Sequence, residues 1–145
     1  MTRPGIHHRC EDHDVLRKQA SGGVAAGALF IVAFYLLTAA IVRGAEVTGE
    51  AGHGKSLYQA CSACHSVDDN DIGPKHRGVV GRRAASVADY AYSKALSDSC
   101  LTWDEATLDR WLTNPSALVP GTKMFFKMDD PQGRADIIAY LKELR

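Results

Sequence analysis

The chain has 145 residues, which leaves room for one domain of about 100 residues and an extension. Seventeen Lys and Arg residues balance seventeen Asp and Glu residues, so no excess of positive charge indicates nucleic-acid binding. The part before Gly44 carries more basic than acidic residues, and the part after it is near neutral or slightly acidic.

Residues 1–20 are polar and rich in charged residues and histidine, without an apolar pattern that would order them. We therefore expect a disordered tail. Metal binding by its histidines is the less favoured interpretation.

Residues 21–43 contain a continuous apolar run from Gly22 to Val42, which as a helix is roughly 31 Å long and would cross a bilayer core. More basic residues precede the run than follow it, which predicts a cytoplasmic tail and a domain on the periplasmic side of the inner membrane. A cleaved signal peptide is the alternative, because Thr38-Ala39-Ala40 is a passable cleavage site, and it would leave a soluble periplasmic protein.

Residues 44–51 are glycine-rich and predict a short tether with a reach of about 20 Å. The tether would hold the domain, residues 52–145, close to the membrane surface.

Cys61-Ser62-Ala63-Cys64-His65 is the pattern of c-type haem attachment. Two sulfurs must reach two vinyl groups on one porphyrin edge, and the adjacent imidazole must then reach the iron. A zinc site would need a second ligand pair, and a thioredoxin-like pair would need a βαβ context; the sequence shows neither. We therefore predict one haem c, covalently bound through Cys61 and Cys64, with His65 as an axial ligand.

The remaining cysteines, Cys10 and Cys100, fall on opposite sides of the predicted span. We expect no disulfide between them, and an idle, small side chain at Cys100.

The domain shows helical patterns and no strand pattern of any length. A helix from about Gly52 to Ala60 leads into the pentad, and residues 84–100 have no regular pattern. The segment Thr102–Glu105 is a capping box that opens a helix, which Pro115 ends. Leu108, Trp111 and Leu112 mark the inner face of this helix. Asp130 and Pro131 open the last helix. Its apolar stripe contains Ile137, Ile138, Leu141 and Leu144, with Tyr140 alongside. We predict an all-α domain with long loops around a buried cofactor.

The second axial position has several candidates. Met124 and Met128 are favoured over His53 and His76, although a lone methionine is commonly core filler.

Several stretches downstream of the pentad resemble class I cytochrome c, the mitochondrial and bacterial cytochrome c2 type. The segment 114–124 is similar to the methionine loop of that family, and the segment 134–142 is similar to its C-terminal helix. Further matches in order and spacing are Gly73-Pro74, Gly78, Gly81-Arg82, Tyr92-Ser93 and Trp103. The resemblance covers about residues 52–145 and implies a class I cytochrome c fold around one covalent haem, preceded here by a single transmembrane helix.

The resemblance also implies roles for individual residues. Met124 would be the second axial ligand beside His65, and a His/Met pair raises the iron's reduction potential, as the cytochromes c themselves exemplify. The Pro74 carbonyl would accept the Nδ1–H of His65. The remaining implied haem contacts are Arg82, Tyr92 and Trp103 around a buried propionate, Thr122 beside the methionine, and Phe126 over the haem edge.

Three residues depart from the family pattern. Trp111 stands where a tyrosine near the ligand sulfur is usual, although its indole N–H can still donate. Leu96 replaces a common asparagine, and His76 replaces an apolar residue. None of them is an implied ligand.

Two filled axial positions leave no site for a substrate, so the resemblance implies a one-electron carrier and no enzyme. Implied partners are a bc1-type complex as donor and a cytochrome oxidase or photosynthetic reaction centre as acceptor, docking transiently. A positive ring could steer docking, and its candidates are Lys75, Arg77, Lys123 and Lys127. The alternatives are a peroxidase-like haem enzyme or sensor with a labile methionine, and a fixed subunit of a respiratory complex.

Overall fold

The structure, a computed structural model, describes residues 47–145. Its α-helices are α1 (Ala51–Leu57), α2 (Lys94–Asp98), α3 (Glu105–Thr113), α4 (Pro115–Leu118) and α5 (Pro131–Glu143), and a 3-10 turn (Tyr58–Ala60) follows α1. This part of the chain has no strand, only an isolated bridge between Arg83 and Thr102. The predicted all-α class is confirmed for these residues.

The predicted tail (1–20), the predicted membrane span (21–43) and the tether as far as residue 46 lie outside the described residues. Within residues 47–145, no helix is both long and apolar enough to cross a bilayer. The transmembrane helix therefore stays a prediction.

The expectation for Cys100 is wrong, because this residue is disulfide-bonded in the structure. The expectation rested on the assumed membrane topology and not on a distance between sulfur atoms. Cys10, the other cysteine of that expectation, lies outside the described residues.

Helices α1 and α5 cross with their backbones in contact, and this is the most extensive packing between elements of residues 47–145. A Cβ atom at Gly54 would lie 1.9 Å from the carbonyl oxygen of Asp136, and one at Gly49 would lie 2.1 Å from that of Ala135. Only glycine fits at such a distance. The Glu50 carboxylate caps α1 by accepting from the amides of Gly52 and His53.

Helix α3 begins later than the capping box predicted. The Asp104 carboxylate accepts from the Thr107 amide at 2.7 Å, so Asp104 is the cap. Thr102 is instead held in the bridge to Arg83 and is not available as a cap. Pro115 ends α3 as expected, but it also opens the short helix α4 as its first residue.

Helix α2 lies within residues 84–100, for which the sequence shows no helical pattern. Ser93 caps it by accepting a hydrogen bond from the Leu96 amide at 3.1 Å. Five residues are too few to show a helical period. The start of α5 is confirmed, because the Asp130 carboxylate accepts from the amides of Gln132 and Gly133 ahead of a helix that opens with Pro131.

The inner faces of α3 and α5 form the core with Tyr58. Of the positions predicted to face the core, six are buried and two, Tyr140 and Leu144, are half-buried. The buried six are Leu108, Trp111, Leu112, Ile137, Ile138 and Leu141. Arg134 ties the two helices together, because its guanidinium donates to Asp109 at 2.7 Å and to the carbonyl of Met128 at 3.0 Å. The long loops pack against these helices.

Candidate functional site

The loops and helices enclose a cavity of about 500 Å³, a size typical of sites for small molecules and cofactors. Most of its lining is apolar. All ten residues that the sequence analysis assigned to the cofactor line it: Cys61, Cys64, His65, Pro74, Arg82, Tyr92, Trp103, Thr122, Met124 and Phe126.

The pentad continues the 3-10 turn as a tight helical turn at the cavity wall. The amide of Cys61 donates to the carbonyl of Tyr58 at 2.9 Å, and the amide of His65 donates to that of Cys61 at 2.9 Å. Cys61 is half-buried and Cys64 is exposed. The turn therefore presents both sulfurs and the imidazole to the same cavity.

The His65 ring is held at its edge by the next loop. Its Nδ1 lies 2.7 Å from the carbonyl oxygen of Pro74 and donates to it, since a carbonyl can only accept. In the neutral ring this leaves the Nε2 lone pair for a metal. Burial lowers the pKa of His65, which favours the neutral, ligating form. A Cβ atom at Gly73 would lie 2.2 Å from Cε1 of the ring, so this position needs glycine.

Met124 lies on a loop that three contacts hold. The indole Nε1 of Trp111 donates to the Met124 sulfur at 3.1 Å. Thr122, which is buried, accepts from the Met124 amide at 3.4 Å. The ammonium of Lys123 donates to the carbonyl of Ala91 at 2.9 Å. A thioether sulfur has two lone pairs, so the bond from Trp111 leaves one free.

The four sequence candidates for a second axial ligand separate in the structure. Met128 and His53 are not among the cavity-lining residues: Met128 packs beside Gly133, and the His53 ring is bonded to the buried Asp136 carboxylate. His76 lines the cavity but stacks on His65. Met124 lines the cavity from a separate loop.

Polar donors occupy another part of the wall. The Arg82 guanidinium donates to the carbonyls of Lys75 at 2.8 Å and Arg77 at 3.0 Å, which fixes it beside the cavity. Trp103 is buried and packs against Trp111 with ring centroids 5.1 Å apart. Its indole N–H has no hydrogen-bond partner among residues 47–145. Burial raises the pKa of Tyr92, while Arg82 and a backbone hydrogen bond at Val87 oppose the shift.

Tyr58, which is buried, and His76, which is half-buried, form a pair that the sequence analysis did not assign to the site. The Tyr58 hydroxyl lies 2.9 Å from Nδ1 of His76, and the His76 and His65 rings stack with centroids 4.1 Å apart. Burial raises the pKa of Tyr58 to about 12 and lowers that of His76 to about 3, with the nearby His65 and Arg82 adding to the second shift. The only sign of this pair in the sequence is that a histidine stands at position 76, where an apolar residue is usual in the family pattern.

Two exposed apolar side chains at the cavity were also missed. Ile72 is 70% exposed and Phe125 is 75% exposed, and both line the cavity beside Phe126. An apolar residue in a loop has no periodic partner, so sequence alone does not show whether it points inward or outward.

Two of the four residues proposed for a positive ring have charged groups that already bind other parts of the protein. Arg77 forms an ion pair with Asp68, and the Lys123 ammonium is bonded to a backbone carbonyl. The ring is therefore weaker than the sequence suggested.

The residues present fit a c-type haem. Two thiols and an imidazole with an uncommitted Nε2 lie on one turn, and a thioether lines the same apolar cavity from a separate loop. Trp103, Tyr92 and Arg82 supply donors for carboxylates. This donor set has one soft and one nitrogen ligand for iron.

The cytochrome c family model matches residues 51–145 of the chain. A cytochrome c2 of Rhodomicrobium vannielii is 46% identical over 101 residues, which are 67% of this chain and 81% of that protein. A cytochrome c2 iso-2 of Magnetospirillum fulvum is 45% identical over 90 residues, which are 60% of this chain and 94% of that protein.

Solved structures show the same fold. The structure of cytochrome cH from Methylobacterium extorquens is 49% identical, with a TM-score of 0.64, and the match covers 66% of this chain and 99% of that chain. The family carries a covalent haem c on its cysteine pair, here Cys61 and Cys64, and its members are electron carriers and not enzymes. The chain therefore belongs to the cytochrome c family.

Proposed function

We propose that this protein carries single electrons between membrane complexes through a haem c that His65 and Met124 ligate. The observation that supports this proposal most directly is that both side chains line one cavity from separate loops. Each is already held by one hydrogen bond, His65 through Nδ1 to Pro74 and Met124 through its sulfur from Trp111. When bound, the haem supplies a one-electron ferric/ferrous couple.

The protein's own residues would do three things for that couple. Cys61 and Cys64 would fix the group covalently. Pro74 would hold the proton of the His65 ring on Nδ1, and Trp111 would hold the Met124 sulfur in place. The apolar lining would exclude water, and low polarity disfavours the additional positive charge of the ferric form. Together these effects favour a moderately high reduction potential.

Filled axial positions would leave no room for a substrate, which supports a carrier over a peroxidase-like enzyme or a sensor. The loop contacts support the same conclusion, because Trp111, Thr122 and Lys123 all restrain the methionine segment.

The proposed partners are a bc1-type complex as donor and a terminal oxidase or photosynthetic reaction centre as acceptor. The exposed side chains of Ile72 and Phe125, with Phe126, give an apolar docking surface at the cavity. A near-neutral domain with one ring candidate already paired to Asp68 supports docking by apolar contact more than by charge.

We further propose that residues 21–43 anchor the protein in the inner membrane, with the domain on the periplasmic side. N-terminal sequencing of the mature protein tests this. A chain that begins between Ala40 and Glu46 would contradict the anchor and establish a cleaved signal peptide.

The ligand pair is tested with the haem-loaded protein and its Met124→Ala and Met128→Ala variants. We expect the weak charge-transfer band of a sulfur–iron bond in the ferric wild type and in Met128→Ala. The band should be absent from Met124→Ala, which should also bind cyanide or imidazole readily. A wild type without the band would overturn the His/Met assignment and favour a labile sixth position.

A further inference from the structure

His76 and Tyr58 form a unit on the side of the cavity where His65 lies. We propose that His76 is a positioning residue, which fixes the plane of the His65 imidazole by stacking on it and is itself fixed by Tyr58. This inference rests on the proposed role of His65 as an iron ligand, and it concerns a position where an apolar residue is usual in the family pattern.

The first support is the geometry of the stack. The centroids of the two imidazoles are 4.1 Å apart, and their planes are inclined by only 19°. Rotation of the His65 ring about its Cβ–Cγ bond would drive the ring edge into the face of His76. The Pro74 carbonyl and the close backbone of Gly73 restrain the ring from other directions. An aliphatic side chain has no flat face and would leave that rotation freer.

The second support is that His76 is itself held rigidly. Its Nδ1 is bonded to the Tyr58 hydroxyl at 2.9 Å, and its amide donates to the Ser66 carbonyl at 3.1 Å. Tyr58 is buried with 6% of its surface exposed, and its ring meets that of Tyr140 edge-on at a centroid distance of 5.1 Å. The hydroxyl therefore has little freedom to follow a different His76 rotamer.

The third support is that Tyr58 and His76 are polar side chains at the wall of a largely apolar cavity. A buried polar group is costly unless it is hydrogen-bonded, so an imidazole and a hydroxyl that satisfy each other can lie beside this apolar cavity without a large penalty. Removing one member leaves the other unsatisfied. The two residues are thus expected to act as a unit and to show non-additive effects in a double-mutant cycle.

The experiment uses the haem-loaded ferric protein and three variants: His76→Leu, His76→Phe and Tyr58→Phe. The electron paramagnetic resonance g values and the spread of the haem methyl proton shifts both depend on the orientation of the axial imidazole plane. We expect His76→Leu to change both readouts, and His76→Phe, which keeps a flat ring, to restore most of the wild-type pattern. Tyr58→Phe should give a smaller change than His76→Leu.

Stability is measured separately by denaturant unfolding, with Asp69→Asn on the same loop as a control that alters neither readout. His76→Leu with wild-type g values and methyl shifts would overturn the inference, even if the variant were less stable. The sulfur–iron band distinguishes a failure of the proposed ligation from a failure of the positioning role of His76. If the wild type lacks it, the proposed ligation fails; if the band is present and the orientation readouts do not respond to His76, only the positioning role fails.

Discussion

At the scale of single residues, the contact between Trp111 and the Met124 sulfur matters most for the redox centre. In the proposed ligand pair, the indole N–H would draw electron density from the sulfur, which would make it a poorer donor to ferric iron and favour the ferrous form. The larger indole thus retains the donor function that the resemblance assigns to a tyrosine at this position.

Trp111→Phe removes this donor while keeping an aromatic ring in the core. We expect the reduction potential to fall by about 40 mV, which corresponds to a hydrogen bond of about 1 kcal/mol in a one-electron couple. Potentiometric titration of the haem-loaded protein measures it. Thr113→Ala, at an exposed position of α3, serves as the control. An unchanged or higher potential would contradict the proposed effect of the indole.

Asp136 is a second residue with a large individual effect, because its side chain is nearly inaccessible yet accepts three hydrogen bonds. The donors are the Glu50 amide at 2.7 Å, His53 Nδ1 at 2.7 Å and Gln132 Nε2 at 2.8 Å. These bonds lower the pKa of the carboxyl below its usual value of 3.8, with the Glu50 amide as the largest cause.

A depressed carboxyl pKa contributes stability that is present above the unfolded value and is lost as the pH falls through the folded value. We expect the wild-type unfolding free energy to decline below about pH 4 and to continue declining at lower pH. In Asp136→Asn, stability at neutral pH should be lower and its dependence on acid pH shallower. Denaturant unfolding over this pH range is the measurement. Parallel profiles for the two proteins would rule out a special role for this carboxylate.

At the scale of elements, the fold depends on how closely α1 and α5 approach each other. The space for the crossing is set by glycines in α1 and just before it, while apolar periodicity places the inner faces of α3 and α5 against it. Capping then sets where each helix begins, as Asp104 does for α3.

Gly54→Ala tests the crossing directly. The added methyl would meet the backbone carbonyl of Asp136 and force the helices apart. We expect a net loss of about 1–3 kcal/mol of unfolding free energy, although alanine would favour an isolated helix by about 1 kcal/mol. Gly52→Ala, where the methyl meets only the flexible Glu50 carboxylate, is the matched control. Equal stability of the two variants would show that the helices can separate freely.

At the scale of the whole molecule, the cavity opens where Ile72, Phe125 and Phe126 are exposed. Net charge gives this domain little long-range attraction for a partner. Contact at the apolar surface should therefore decide how fast electrons are exchanged.

Phe125→Ser should slow the second-order reduction by a bc1-type complex by about tenfold, equivalent to about 1.4 kcal/mol of lost contact. Lys127→Ala should have a smaller effect at physiological ionic strength. The control is Val47→Ser, which removes an exposed apolar residue that does not line the cavity. Stopped-flow rates at several salt concentrations give the comparison. A larger effect of Lys127→Ala would favour steering by charge.

The haem attachment site, the family resemblance, the all-α class and the apolar faces of α3 and α5 could all be predicted from the sequence. Each of these follows from a local pattern: a pentad with a fixed spacing, or a helical period of apolar residues. The start of α3 was misjudged because Thr102 and Asp104 are both good caps, and only the bridge to Arg83 removes Thr102 from that role.

Which side chains contact each other could not be predicted from the sequence and follows from the three-dimensional fold. The pair of Tyr58 and His76 is 18 positions apart and Glu50 and Asp136 are 86 apart, so no local period links them. The same holds for the stack of His76 on His65 and for the position of Met124, and not Met128, at the cavity, since both methionines lie on one irregular segment. Such contacts depend on the path of loops between helices, and that path is set by the packing of the whole domain.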